Sequence, residues 1–180
     1  MHRPLQLFAL LLLAGAMLPL GACGFRPLYG DNGTTASTVN RLADVDVIAP
    51  ETVLGRSLKY SLLDSLSSDG NSPTSATYKL TLNPSSYRQD VAIQQDAAVT
   101  RANFVLVVPF ILTSVADGKT VFKSTARARS SYNRVDSEFA NLSAAQDAEK
   151  RTAETVAKDI KQQISVFFDR QAAKGDTSVQ

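Results

Sequence analysis

Residues 104–112 read FVLVVPFIL, nine successive positions without a polar side chain. A strand in an antiparallel sheet with one wet face alternates apolar and polar residues, so an unbroken apolar run asks for cover on both faces. Downstream, Ala116-Asp117-Gly118 has the form of a three-residue hairpin loop, with Gly118 at the left-handed position of a bulge. That loop sets a register in which Leu112 faces Phe122, Phe110 faces Ser124 and Val108 faces Ala126. Even-numbered residues of both strands then share a face, and Phe104, Leu106, Ala128 and Tyr132 join them as the core side. The odd-numbered face carries Val105, Val107 and Ile111 opposite Arg129, Arg127 and Lys123. A two-residue loop would break this matching, because a one-residue slip moves every side chain to the other face.

Working upstream, Tyr78, Leu80 and Leu82 alternate with Lys79 and Thr81, and Asn83-Pro84 interrupts the pattern. Strand character resumes around 87–94, turns near Gln95-Asp96 and returns over 99–115. Two long strands are expected, the first bent or bulged at Pro84. Their distal part, roughly 85–103, is mostly polar and is expected to protrude. Farther upstream, 44–49 (DVDVIA) reads as a short strand. Over 51–68, Leu54, Leu58, Leu62 and Leu66 recur every four residues with Pro50 near the first turn and Asp69-Gly70 as the stop, an amphipathic helix whose leucines are core. Beyond Ser137, residues 139–170 repeat apolar positions at helical spacing: Leu142, Ala145, Thr152, Val156, Ile160, Ile164, Phe167 and Phe168. Ser143 with Gln146 resembles an internal capping box, which suggests a boundary near Ser143. The fold class expected is α+β, a single mostly antiparallel four-stranded sheet with two α-helices packed on one face. The second face is left uncovered.

The N-terminal end explains the only cysteine. Residues 5–18 are apolar apart from Gln6 and follow a basic start, the layout of a signal peptide. Leu20-Gly21-Ala22-Cys23 resembles a lipobox, in which small residues admit the peptidase and the thiolate takes up a diacylglyceryl group. Cys23 is thus the expected lipidation site, holding acyl chains such as palmitate, and ~0.8 kcal/mol per buried CH₂ makes such an anchor stable. The plain alternative is a buried small residue beside an ordinary cleavage site. Gly24 at the next position points to the outer membrane. The division expected is 1–22 signal peptide, 23–41 lipidated tether, 42–170 folded domain and 171–180 flexible tail.

Of 19 basic residues one, Arg3, leaves with the signal peptide, so 18 remain against 17 acids and global charge names no partner. The only histidine, His2, leaves as well. A Ser-His-Asp triad, a Cys-His pair and histidine metal ligation are therefore not expected, nor is a disulfide framework. No cofactor is implied, since no phosphate-cradling glycine loop and no metal cluster occurs.

Local charge is more telling. Lys119, Lys123, Arg127, Arg129 and Arg134 occur in sixteen residues without an acid. Strand residues two apart share a face, so Lys123, Arg127 and Arg129 project together, about 7 Å apart per two residues, beside Val105, Val107 and Ile111. Guanidinium binds phosphate through paired hydrogen bonds, and cations beside aliphatics suit a ligand with phosphates and acyl chains. The plainer readings are an edge strand guarded by charge or a face buried on a protein partner. No aromatic residue for base stacking lies between Lys123 and Arg129, and this together with the expected secretion argues against nucleic acid. An enzyme would need a carboxylate pair, and Asp90, Asp96, Asp136 and Glu138 are candidates whose spacing favours no pair over solvated loop charge.

The segment CGFRPLYG at 23–30 resembles the mature start of the LPS-assembly lipoprotein family LptE. Gly55-Arg56-Ser57-Leu58 with Leu62, Asp64 and Leu66 is similar to the family's first helix. Tyr78-Lys79-Leu80-Thr81-Leu82 is similar to its following strand. Ser131-Tyr132-Asn133, Phe139-Ala140 and Ala145-Gln146-Asp147-Ala148 through Arg151 resemble its last strand and the start of its last helix. The resemblance spans nearly the whole mature chain. It implies an outer-membrane lipoprotein, not an enzyme, that faces the periplasm and plugs the β-barrel LptD, helps the barrel assemble and assists delivery of lipopolysaccharide to the outer leaflet. Lipopolysaccharide binding by Lys123, Arg127 and Arg129 follows from the strand reading and not from the family. The alternative is another lipid-trafficking lipoprotein that works without a barrel.

Overall fold

The computed structural model describes residues 33–67, 69–94 and 97–177. In chain order the elements are α1 (Gly33–Ala43), β1 (Val45–Ile48), α2 (Val53–Leu66), β2 (Tyr78–Leu82), β3 (Ser85–Gln94), β4 (Ala97–Ser114), β5 (Thr120–Asn133) and α3 (Glu138–Thr177). The α+β class and the mostly antiparallel sheet stand: β1 runs parallel to β2, and the other pairings are antiparallel. Two corrections apply: among the described residues the sheet has five strands rather than four, and there are three helices rather than two.

The central strand is β4, and its proline explains the break opposite it. β2 pairs with residues 110–114 of β4 and β3 with the part before 108, both on the same edge of β4. They are one line of strand interrupted at Asn83-Pro84, the bend expected at that dipeptide. Pro109, which has no N–H to give, sits beside the interruption, and its carbonyl accepts from Asn83 N at 3.0 Å. A proline inside a central strand is tolerated here because the missing donor faces a gap in the neighbouring strand.

On the other edge of β4 the register is the expected one: Leu112 with Phe122, Phe110 with Ser124, Val108 with Ala126. The tip differs. Ser114 N donates to the carbonyl of Lys119 at 2.9 Å, so four residues, 115–118, lie between that pair, and a register shift beyond Leu112 restores the body of the ladder. Gly118 has φ +67°, the left-handed conformation expected of it. Hydrogen bonds from the Ser114 hydroxyl and the Lys119 amide hold the Asp117 carboxyl below the usual carboxylate range, so the turn keeps its anion at neutral pH.

The even-numbered residues of β4 from Ala102 to Leu112 are all buried and face the helices, with Ala126 and Tyr132 of β5 beside them. α3 and β4 match in length: 40 helical residues and 18 strand residues each span about 60 Å. The buried stripe of α3 includes Ala145, Ala148, Ala153, Ala157, Ile160, Ile164 and Phe168. Its alanines allow a close approach, while each fully buried Leu, Ile or Phe stabilises the fold by ~1.5–3 kcal/mol relative to exposure. Leu142, counted on the stripe by spacing, is instead exposed. No boundary occurs at Ser143. The helix starts earlier, where Ser137 Oγ accepts from Ala140 N and the Ser137 carbonyl accepts from Asn141 N.

Residues 33–41, expected to be tether, form most of α1. Its Thr, Ser and Asn are weak helix formers without a clear period, and tertiary contacts decide the outcome. Thr38 and Leu42 are buried. Arg41 Nη2 donates to Tyr78 Oη at 2.8 Å and Gln171 Oε1 at 2.6 Å, with its guanidinium carbon 4.4 Å from the Phe168 ring centre. That same latch reaches the last part of α3, which continues to Thr177 through most of the stretch expected to be a flexible tail.

α2 begins two residues later than the expected 51, at Val53, because Thr52 is its N-cap and accepts from Gly55 N at 3.0 Å. Gly55 is buried, and a Cβ there would lie 2.1 Å from the Pro50 carbonyl oxygen. Gly55→Ala is therefore expected to lower stability by about 1–3 kcal/mol through overpacking, although alanine is the better helix former by about 1 kcal/mol. Urea unfolding measures the sign: a higher midpoint for the alanine variant would contradict the close approach.

Candidate functional site

The face of the sheet turned away from the helices is assembled by register. Across it run Gln89, Asn103 and Ser131, then Tyr87, Val105 and Arg129, then Ser85, Val107 and Arg127, and nearer the hairpin Thr81, Ile111 and Lys123. β1 adds Asp46 and Ile48 beside Lys79 and Thr81. The structure thus brings Lys123, Arg127 and Arg129 onto one face, as their spacing implies. From Phe122 on β5 alternates, with these three exposed and Ala126 and Tyr132 buried.

Two more cations join them. Lys79 lies on β2 and Arg101 on β4, both exposed and both at face positions. Asp46 is the lone acid among the described strand residues of this face. Of the cations in 119–134, Lys119 pairs with Asp117 at 3.4 Å and Arg134 with Asp90 at 3.8 Å. No ion pair found among the described residues involves Lys123, Arg127 or Arg129. Arg101 was within reach of sequence reasoning, since counting back by twos from Val105 lands on it. Tyr87 was not, because its place depends on the β3–β4 register, which shifts twice between Asp90 and Gln94.

The apolar part of the face is smaller than expected. Ile111 is 44% exposed and Ile48 40%, but Val105 is 1% exposed and Val107 half-buried. Tyr87 and Arg127 stand on the strands either side of β4, and Arg127 Nη2 donates to Tyr87 Oη at 2.8 Å. That bond bridges β4 beside Val105 and Val107, which shelters the first and leaves the second half-buried. Farther along, Ser131 Oγ donates to Asn103 Oδ1 at 2.6 Å, so the buried amide of Asn103 is satisfied. The face is a bridged polar and cationic surface with aliphatic patches at Ile111 and Ile48, able to meet an anion with apolar neighbours.

The carboxylates considered for catalysis are elsewhere. Asp90 and Glu138 line an open cleft of about 370 Å³ on the helix side, together with Arg88, Tyr132, Arg134 and Asn141. Asp90 is engaged by Arg134 there. Asp136 is exposed in the turn before α3, and Asp96 lies outside the described residues. Among the described residues, no group of three or more His, Cys, Asp and Glu side chains could hold a metal ion, and no helix is long and apolar enough to cross a membrane. Cys23 and the whole of 23–30 lie outside the described residues.

No protein-family model matches the sequence, and no curated protein matches it significantly. Solved structures do share its fold. One is a protein from Caulobacter crescentus CB15 regarded by its solvers as a lipoprotein, 22% identical, covering 74% of this chain and 96% of that one with a TM-score of 0.62. A minor lipoprotein from Acinetobacter baumannii is 19% identical over 68% of this chain and 90% of its own, TM-score 0.54. An uncharacterized lipoprotein B from Nitrosomonas europaea is 15% identical over 68% and 82%, TM-score 0.51. These likenesses establish a fold that is found in small bacterial lipoproteins.

The two faces of the sheet predict opposite responses to mutation. Lys123→Gln with Arg129→Gln is expected to change stability by no more than about 0.5 kcal/mol, as for surface residues without partners. Phe104→Ala on the helix side is expected to cost about 3–5 kcal/mol. Thermal and urea unfolding of the two variants measures the contrast, and a large loss in the Lys123/Arg129 variant would mean that the cations serve the fold.

Proposed function

We infer that this protein is an outer-membrane lipoprotein of the LptE kind, anchored through Cys23, that plugs and helps assemble a large β-barrel, LptD, and assists passage of lipopolysaccharide to the outer leaflet without catalysing a reaction. The observation that carries the reading is the open sheet face, where Lys79, Arg101, Lys123, Arg127 and Arg129 gather beside Ile48 and Ile111 with Asp46 as the lone acid among the described strand residues. Phosphorylated, acylated glycolipid matches that surface: guanidinium and ammonium groups meet the phosphates, and the isoleucines meet acyl carbon. The surface is also of the sort a barrel lumen can cover, since it is polar at most positions and already hydrogen-bonded within itself. The lipobox, the CGFRPLYG segment and a fold found in bacterial lipoproteins support the same reading.

Co-purification of the mature protein from its own envelope in mild detergent tests the barrel half. A stable one-to-one complex with a large β-barrel is the expected result. A body that accompanies an inner-membrane transporter instead would favour the lipid-trafficking alternative.

Arg127→Glu with Arg129→Glu tests the ligand half. Charge-assisted hydrogen bonds contribute about 1.5–3 kcal/mol each, so the double reversal is expected to weaken lipopolysaccharide binding at least about tenfold at moderate salt while circular dichroism shows the fold intact. Unchanged binding would exclude the face as the site. Cys23→Ala is expected to release the protein into the soluble periplasmic fraction of cells lacking the barrel, and persistent membrane attachment there would exclude the lipid anchor.

A further inference from the structure

β5 ends the sheet. It pairs with β4 along one edge and with no other strand among the described residues. The direction of its main-chain groups follows from two bonds. The Pro109 carbonyl accepts from Asn83 N, so odd-numbered residues of β4 turn their groups toward β2 and β3, and even-numbered ones toward β5. Their register partners, Phe122, Ser124, Ala126, Ala128 and Ser130, are the residues of β5 bonded to β4. Lys123, Thr125, Arg127 and Arg129 therefore turn N–H and C=O outward. Ser131, next in that series, agrees: its carbonyl accepts from Arg151 Nη2 at 3.3 Å.

The outward groups and the cations thus belong to the same residues. A long free edge offers unpaired donors and acceptors to any extended chain, and natural proteins restrict what can add. A second copy of β5 pairing antiparallel would set Lys and Arg opposite Lys and Arg, which is unfavourable. A strand bearing carboxylates at alternate positions would gain where the copy loses. On the helix side, its other residues would meet a cleft of about 310 Å³ between β5 and α3, where Phe122, Val166 and Phe167 lie among Asp159, Gln162, Gln163 and Arg170. The Phe122 and Phe167 rings stack at 4.9 Å and fix that wall.

We propose that the free edge of β5 is a strand-addition site for an extended segment of a partner protein with alternating acidic and aliphatic residues. Main-chain bonds form to residues 123–129, carboxylates stand beside Lys123, Arg127 and Arg129, and an aliphatic side chain enters the cleft. Backbone pairing gives affinity and the alternating side chains give selection. The site does not rest on lipopolysaccharide binding and stands or falls separately from it.

The probe is an end-capped peptide of alternating Val and Glu about as long as β5. Its comparators are the Val and Lys counterpart and the acidic peptide N-methylated at alternate residues. Titration calorimetry gives affinity, and amide hydrogen exchange by NMR gives the footprint. The acidic peptide is expected to bind at least about tenfold more tightly than either comparator and to protect the amides of Lys123, Thr125, Arg127 and Arg129. Thr125→Pro removes an outward donor, which an edge tolerates, and is expected to abolish binding. Arg127→Glu with Arg129→Glu is expected to shift preference to the Lys peptide, and it carries the test if the proline variant does not fold. Equal binding of the methylated peptide, binding without protection of those amides, or no binding at all overturns the proposal. So does a dimer closed through β5 in sedimentation.

Discussion

The side chains of β4 from Arg101 onward face one of two environments, and α3 fills only one of them. Helix and strand are equal in length, so the even-numbered side of β4 finds cover from Ala102 to Leu112 without a gap. Among the described residues, nothing comparable covers the odd-numbered side. Its solution is piecemeal: the Arg127–Tyr87 bond spans β4 near Val105, the Ser131–Asn103 bond satisfies a buried amide, and Ile111 stays in the open. A sheet covered on one side and bridged on the other holds its shape while leaving its cations unspent, because hydrogen bonding to Tyr87 orients a guanidinium without neutralising it.

This asymmetry was largely legible in the sequence. Period-two alternation along 120–133 and the apolar run at 104–112 fix both faces once the pair is aligned, and the alignment survived an incorrect loop length. Four residues lie at the tip rather than three, and the ladder absorbs the difference beyond Leu112. Burial of one face over many rungs outweighs the geometry of a single turn. Asn83-Pro84 was legible as a break, but its match to Pro109 across the ladder was not, because pairing is a tertiary fact.

Other elements left weaker marks. α1 is poor in helix formers, and its place depends on the Arg41 latch to Tyr78, Gln171 and Phe168, residues far away in sequence. Ser143 and Gln146 carry the letters of a capping box inside a helix whose cap is Ser137. The exposure of Leu142 shows that helical spacing identifies a stripe and not where the partner sheet ends. For the candidate site, the three cations of β5 were found by strand spacing alone. Arg101 follows from the same count of two back from Val105, Lys79 needed the register of β2 with β4, and the shelter of Val105 needed Tyr87 on a strand whose register is irregular.

The central claim is that something other than this chain covers the open face in the envelope, and lysine acylation measures it directly. Lys79 and Lys123 stand on that face, while Lys150 and Lys158 are exposed on the outer side of α3. Labelling intact envelopes and the purified body with the same amine reagent, followed by mass spectrometry, compares the four. The account predicts that Lys79 and Lys123 react several-fold more slowly in the envelope, relative to Lys150 and Lys158, than in the purified protein. Equal relative reactivity in the two preparations would contradict it.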